Sequence, residues 1–266
     1  MADKICTIVN SVKEKNPLIH CITNPISINQ CANALLSLGA RPIMAEHPGE
    51  VCQITATAKA LMLNLGNITH ARMKSMKLSL TEANSKLIPT LVDVVGIACS
   101  NLRRKYVFDL LKTAHPSVIK GNYSEIMALH DKEYFSLGVD AQDFADVSSV
   151  VQKCRSLACK YNVVILATGK TDIVTDGQNT VYVKNGTPQL AKVTGTGCML
   201  GSMCAGFMAV SKPMDAVAAA CSYFGICGEL AETDRGNGSF MVNLMDRIST
   251  LGREEIKKYC NKEEKV

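Results

Sequence analysis

The run Val193-Thr194-Gly195-Thr196-Gly197-Cys198-Met199-Leu200-Gly201 leads small, flexible residues straight into an apolar helical stretch. Glycine lets a backbone approach a ligand closely, and the unpaired N–H groups of a first helical turn, at the positive end of the helix dipole, favour phosphate oxygens. Gly195, Thr196 and Gly197 are therefore candidates to hold an anion, and Cys198 at the helix start can turn its side chain toward it. The same residues would also make a plain helix N-terminus with tight packing, so this run alone does not choose between the two.

A second cluster, Lys120-Gly121-Asn122-Tyr123-Ser124-Glu125, follows a short apolar run and opens a helix. Open α/β sheets keep their sites beyond the C-terminal ends of their strands, which is where such polar residues fall. Asn122 and Glu125 have the spacing of an ordinary helix cap. The functional reading uses Glu125 and Asp93, the latter closing residues 90–93, as hard oxygen ligands for Mg²⁺, with Lys120 supplying positive charge for phosphate. Gly169-Lys170-Thr171 ends like a Walker loop, but position 164 is Val where that loop needs Gly. The spacing of Gly195, Gly197 and Gly201 imitates a dinucleotide fingerprint without the strand–helix–strand unit around it. The five histidines lack metal-ligand spacing, and no Gly-x-Ser-x-Gly elbow occurs.

These residues need a frame. Short apolar runs at 18–23, 42–45, 60–65, 90–95, 118–120 and 163–167 read as buried strands. Helix-like segments at 27–38, 73–87, 102–113, 123–130 and 147–161 fill the gaps between them. Strand then helix, repeated, predicts an α/β fold with a mainly parallel central sheet and helices on both faces. Residues 172–175 and 180–184, around Asp176-Gly177, predict an antiparallel edge hairpin. From 197 the reading is helical, over 197–210, 213–231 and 240–258. No repeat or linker divides the sequence, so residues 1–266 are expected to form one domain.

Composition narrows the classes. The chain has 266 residues, 47% apolar and 20% charged, which excludes a disordered protein. The 29 basic and 24 acidic residues leave +5, and the basic ones are scattered apart from Arg103-Arg104-Lys105 and a mixed-sign tail after Arg253. Nucleic acid is not the indicated partner. The 12 cysteines contain no Cys-x-x-Cys, and the N-terminus lacks a signal segment, which points to small buried thiols in a reducing cytoplasm. Residues 193–211 carry no charge, yet their turn-like opening would leave backbone groups unpaired in lipid, so no membrane partner is expected.

Taken together and in chain order, the quoted motifs add to His20-Cys21-Ile22-Thr23-Asn24, Gly39-Ala40-Arg41-Pro42-Ile43-Met44-Ala45, Leu63-Asn64-Leu65-Gly66 and Ala167-Thr168-Gly169. Over nearly the whole chain this set resembles the hydroxyethylthiazole kinase family of the ribokinase-like group. The resemblance implies ATP- and Mg²⁺-dependent phosphorylation of the primary alcohol of 4-methyl-5-(2-hydroxyethyl)thiazole, a thiamine salvage step. It also implies a homotrimer with the substrate site between subunits. On this likeness Asn24, Met44, Gly195 and Cys198 meet the thiazole, with Met44 reaching a neighbour's pocket. Lys120, Thr168, Gly195, Thr196 and Gly197 take ATP, and Asp93 and Glu125 form the Mg²⁺ and phosphate environment. Cys198 stands where wider relatives carry an Asp general base, and it serves as a weak base or a positioning group.

Two departures stand out. Asp93-Val94-Val95-Gly96-Ile97-Ala98-Cys99-Ser100 replaces the usual Asp-Pro-Val-Gly followed by Gly-Ala-Thr, and Lys120 replaces an Arg, exchanging a bidentate fork for a point charge. The competing readings are a kinase for hydroxymethylpyrimidine on the same fold, a nucleotide-binding protein without turnover, and a dinucleotide oxidoreductase.

Overall fold

The computed structural model describes residues 1–131, 133–134 and 147–260, and the backbone of 263–265. The strands are β1 (Leu18–Ile22), β2 (Arg41–Ile43), β3 (Ala60–Asn64), β4 (Thr90–Asp93), β5 (Val118–Asn122), β6 (Val164–Thr168), β7 (Asp172–Thr175), β8 (Thr180–Val183) and β9 (Glu263–Lys265). They form one sheet in the order β2-β1-β3-β4-β5-β6-β7-β8-β9. Pairing is parallel from β2 to β6 and antiparallel from β6 to β9, as the sequence pattern predicts for the first eight.

The helices are α1 (Ala2–Lys15), α2 (Ile28–Leu38), α3 (Val51–Thr57), α4 (His70–Ser85), α5 (Asn101–Thr113), α6 (Tyr123–His130), α7 (Val147–Tyr161), α8 (Thr196–Met208), α9 (Pro213–Ala231), α10 (Asn237–Thr250) and α11 (Arg253–Tyr259). Alternation along each strand feeds two cores. Ile19, Met62, Leu91, Val118 and Leu166 pack with α1, α2 and α8 to α11 on one face. Leu61, Leu63, Val92, Ile119 and Ile165 pack with α4 to α7 on the other.

Besides β9, three features lie outside the sequence reading. The periodicity of Ile5, Val9 and Val12 makes α1, which buries that stripe. The short helix α3 closes the loop after β2. The expected helix over 240–258 is two helices, because Gly252 starts a new one and its N–H donates to Glu255 Oε2 at 3.2 Å. The uncharged stretch at 193–211 is the buried α8, and among the described residues no helix is long and apolar enough to cross a membrane.

Helix α8 lies very close to the sheet. A Cβ at Gly201 would stand 2.9 Å from Met62 Cε and 3.4 Å from Asp93 Oδ2, so a larger residue here would have to push the flexible end of Met62 aside for the helix start to settle over the ends of β3 and β4.

Candidate active site

A cleft of about 740 Å³ opens at the C-terminal ends of the parallel strands and is lined by Asn24, Asp93, Lys120, Glu125, Thr168 and the turn from Gly195 to Cys198, among others. Nine of the ten expected site residues thus meet in one place. Met44 does not; it follows β2 and packs half-buried against the core beneath α2 and α8. Its loop is tied down by His20, whose Nε2–H donates to the Ala45 carbonyl at 2.9 Å while Nδ1 meets Thr55 Oγ1 at 2.9 Å. Burial lowers the His20 pKa, which keeps the ring neutral for this pairing.

Charge is concentrated on one wall. Lys120 Nζ donates to Asp93 Oδ2 at 2.9 Å, with side chains only 5% and 1% exposed. Burial pushes the Asp93 carboxyl up from its ordinary range, against the pull of Lys120 and of the Asn64 amide. Burial also works against the Lys120 charge, but the adjacent carboxylate wins and holds the ammonium above its ordinary pKa. Asp93 Oδ1 is buried without a hydrogen-bond partner.

Glu125 serves the fold and the cleft at once. Its Oε2 accepts the Asn122 N–H at 2.8 Å while Asn122 Oδ1 accepts the Glu125 N–H at 2.8 Å, the full capping box that the spacing allowed. Its Oε1 accepts the Gly96 N–H at 2.7 Å, which ties the departing loop after Asp93 to the same carboxylate. Burial, and then the charge of Asp93, raise the Glu125 pKa to about 7. Val94, where the family usually has Pro, donates its N–H to the Lys120 carbonyl at 2.8 Å. Proline has no such donor, so this departure adds a strand pairing next to the site.

With Asp93 and Glu125 ionised and Lys120 protonated, this wall carries one net negative charge. No group of three or more His, Cys, Asp or Glu side chains suited to a metal occurs among the described residues. Two carboxylates, one with an orphaned buried oxygen, nevertheless fit a hard cation that takes its remaining ligands from phosphate and water, which is the habit of Mg²⁺.

The adjoining wall is neutral. Gly195 takes φ 91°, a left-handed conformation that favours glycine, and caps α8. The Thr196 hydroxyl donates to the Leu190 carbonyl at 2.8 Å and so belongs to the turn. The first bond of the helix runs from the Met199 N–H to the Gly195 carbonyl at 2.9 Å, leaving the N–H groups of Thr196, Gly197 and Cys198 ahead of it at the cleft. Thr168 Oγ1 donates to the Gly121 carbonyl at 3.4 Å, which joins the ends of β5 and β6.

Sequence reading misses two residues here. Asn64 ends β3 fully buried and contacts both Asp93 and Cys198; a polar residue closing an all-apolar strand was the available signal. Arg103, in the first turn of α5, lines the cleft and donates from Nη1 to the Val95 carbonyl at 3.2 Å. Its neighbours Arg104 and Lys105 disguise it as part of a surface run.

Comparison with known proteins adds to this geometry. The Hydroxyethylthiazole kinase family matches residues 9–254. Hydroxyethylthiazole kinase 2 of Clostridium botulinum (strain 657 / Type Ba4) is 42% identical over 254 residues, covering 92% of this chain and 95% of that protein. Among solved structures, the hydroxyethylthiazole kinase protein of Pyrococcus horikoshii OT3 superposes with a TM-score of 0.90 at 33% identity, covering 98% of each chain. A ribokinase-like superfamily protein of Enterococcus faecalis V583, at TM-score 0.63 and 15% identity over 93% of this chain and 89% of its own, shares the fold.

Proposed function

The chain belongs to the hydroxyethylthiazole kinase family and is a phosphotransferase, and from this we propose that it moves the γ-phosphoryl group of ATP, with Mg²⁺, onto the primary alcohol of 4-methyl-5-(2-hydroxyethyl)thiazole. The product is the thiazole monophosphate of a thiamine salvage route in a reducing cytoplasm, where the chain's buried free thiols stay reduced. One observation carries this reading: the Asp93–Lys120 pair, Glu125 and the α8 start with Cys198 converge on one cleft.

Phosphoryl transfer asks mainly for in-line positioning and neutralisation of spreading charge. The N–H groups opening α8, at Gly195 to Cys198, hold phosphate oxygens, and Lys120 and Thr168 flank the nucleotide. Asp93 and Glu125 hold Mg²⁺, which when bound neutralises phosphate charge. Asn24, Gly195 and Cys198 orient the alcohol. Cys198, as its thiolate, takes the alcohol proton and becomes the thiol as the alcohol oxygen bonds to phosphorus and the bond to the ADP oxygen breaks.

Met44 lies outside its own chain's cleft, at the edge strand of the sheet, with Ile26 of the cleft mouth 55% exposed. This supports a homotrimer in which Met44 completes a neighbour's thiazole pocket. Sedimentation of the purified protein at three times the chain mass supports that arrangement; a monomer that turns over overturns it.

The deciding experiment measures ADP release, with mass detection of the product, from ATP, Mg²⁺ and either hydroxyethylthiazole or hydroxymethylpyrimidine. A thiazole monophosphate formed only with Mg²⁺ is expected. Phosphorylation of the pyrimidine alone, or ATP binding without turnover on either alcohol, overturns the assignment.

A further inference from the structure

We infer that Asn64 is a positioning residue for the Cys198 thiol, acting with Asn24 as a two-amide cradle that leaves the sulfur one free direction, into the cleft. The inference rests on the reading that Cys198 receives the alcohol proton.

The orientation of both amides follows from backbone donors, which can meet only an oxygen. Asn24 Oδ1 accepts the N–H groups of Ile26 at 3.1 Å and Ser27 at 3.2 Å, so its Nδ2 faces inward. Asn64 Oδ1 accepts the Gly66 N–H at 2.8 Å, which fixes its Nδ2 likewise. From there Asn24 Nδ2 donates to Asn64 Oδ1 at 3.2 Å and to Cys198 Sγ at 3.3 Å. Asn64 Nδ2 donates to Asp93 Oδ2 at 3.2 Å and to Cys198 Sγ at 3.3 Å.

Every donor and acceptor of both amides is committed, so neither side chain can turn without leaving a buried group unpaired. The sulfur accepts two N–H groups from the protein side. Its remaining lone pair, or its proton once the alcohol has given it up, points to the cleft. Asn64 itself is fully buried, so it acts on substrate only through a neighbour, Cys198 or Asp93, and the test below separates the two.

The test is a double-mutant cycle. Asn64→Ala is expected to lower kcat by ~30-fold, with KM for ATP and for the alcohol changed less than about twofold, the scale of a lost supporting hydrogen bond. In a Cys198→Ala background the same substitution is expected to cost less than about twofold, because the group it positions is gone. An equal loss in both backgrounds overturns the inference and makes Asn64 a partner of Asp93 alone. If Asn64→Ala fails to fold, Asn64→Ser, which can still accept the Gly66 N–H, replaces it in the same cycle.

Alkylation of Cys198 by iodoacetamide, followed by peptide mass without substrate, separates this idea from the functional reading. Several-fold slower labelling in the Asn64 variant supports the cradle even where the wild type phosphorylates neither alcohol, and an unchanged rate overturns it.

Discussion

Along the charged wall of the cleft, Asp93, Lys120 and Glu125 are held out of water, and Asp93 Oδ1 lacks any partner. Along the neutral wall, Asn24 and Asn64 have their amide groups fully engaged around the Cys198 sulfur. Both walls hang from the ends of one sheet, yet they are built on opposite energetic terms. Buried charge is costly unless paired, and a carboxylate oxygen left without a donor costs more still. The charged wall thus keeps a buried carboxylate oxygen without a partner, the place where the proposed cation would bind. On the neutral wall the two amides have every partner they need, and they contribute orientation.

The largest expected effect tests whether the charged wall couples stability to activity. Asp93→Asn leaves the Lys120 ammonium buried without its counter-ion, which costs ~3–5 kcal/mol. Turnover is expected to fall by ~10³-fold, the upper end for removing one electrostatic contact from a reacting site. Thermal melting of Asp93→Asn beside the double variant Asp93→Asn/Lys120→Met checks this. The double variant should recover much of the melting temperature and none of the turnover. A single variant that melts like the wild type breaks the contrast between the walls.

Next in size is Glu125→Gln, whose one amide oxygen can keep the cap to Asn122 while its NH2 replaces the oxygen that accepts the Gly96 N–H, and which loses the charge. A fall of ~10²-fold in the Mg²⁺-dependent rate is expected with the fold intact. Its pH behaviour sharpens the point. The folded pKa of about 7 lies above the ordinary value of 4.5, so the folded protein holds this proton longer than the unfolded chain. Stability from Glu125 is thus fully present below pH 4.5 and is lost as pH rises through about 7. Activity should run the other way, since the ionised carboxylate is the metal-binding form. The kcat/KM profile is expected to rise with a midpoint near 7, to move to lower pH as Mg²⁺ is raised, and to lose this limb in Glu125→Gln. A limb that survives the substitution belongs to another group.

On the neutral wall, Cys198→Ala is expected to lower kcat by up to ~10²-fold, the low end for a proton acceptor. The melting temperature and the KM for ATP should stay near wild type. A wild-type turnover reduces the thiol to a spacer and leaves orientation to the amides alone.

The walls also differ in how much of them the sequence discloses. The parallel sheet and its antiparallel edge follow from apolar runs and the Asp176-Gly177 turn, because strands buried on both faces must be continuously apolar, whereas the strand order was not legible. Asp93 and Lys120 were legible as cleft residues because charged residues near strand ends have few structural reasons to be there, whereas Glu125 also had an ordinary one in its cap with Asn122. Asn64 was not, since an asparagine after an apolar run equally closes a turn, and its role depends on a sulfur 134 positions away. Helix α1 and the break at Gly252 escaped for a different reason. Their apolar stripes are short, and tertiary packing against α9 and α11 decides their ends. Val94 shows that a departure from a family pattern can be structurally gainful, through an N–H that proline lacks.

Arg103 lines the cleft beside the charged wall, and the smallest of these effects is expected there. Lys120 is committed to Asp93 at 2.9 Å, so much of its field is cancelled before a triphosphate arrives. Arg103 is anchored through Nη1 to the Val95 carbonyl and forms no ion pair among the described residues, which leaves its other N–H groups for phosphate oxygens. Arg103→Met is expected to raise the KM for ATP by ~10-fold with kcat changed less than about twofold, since binding is lost equally from ground and transition states. Raising the ionic strength should narrow the gap between wild type and variant, because the half-buried Arg103 guanidinium is screened more than the buried Lys120–Asp93 pair. An unchanged KM would assign nucleotide charge recognition to the helix start and Mg²⁺ alone, and would make the charged wall a metal site with no phosphate clamp of its own.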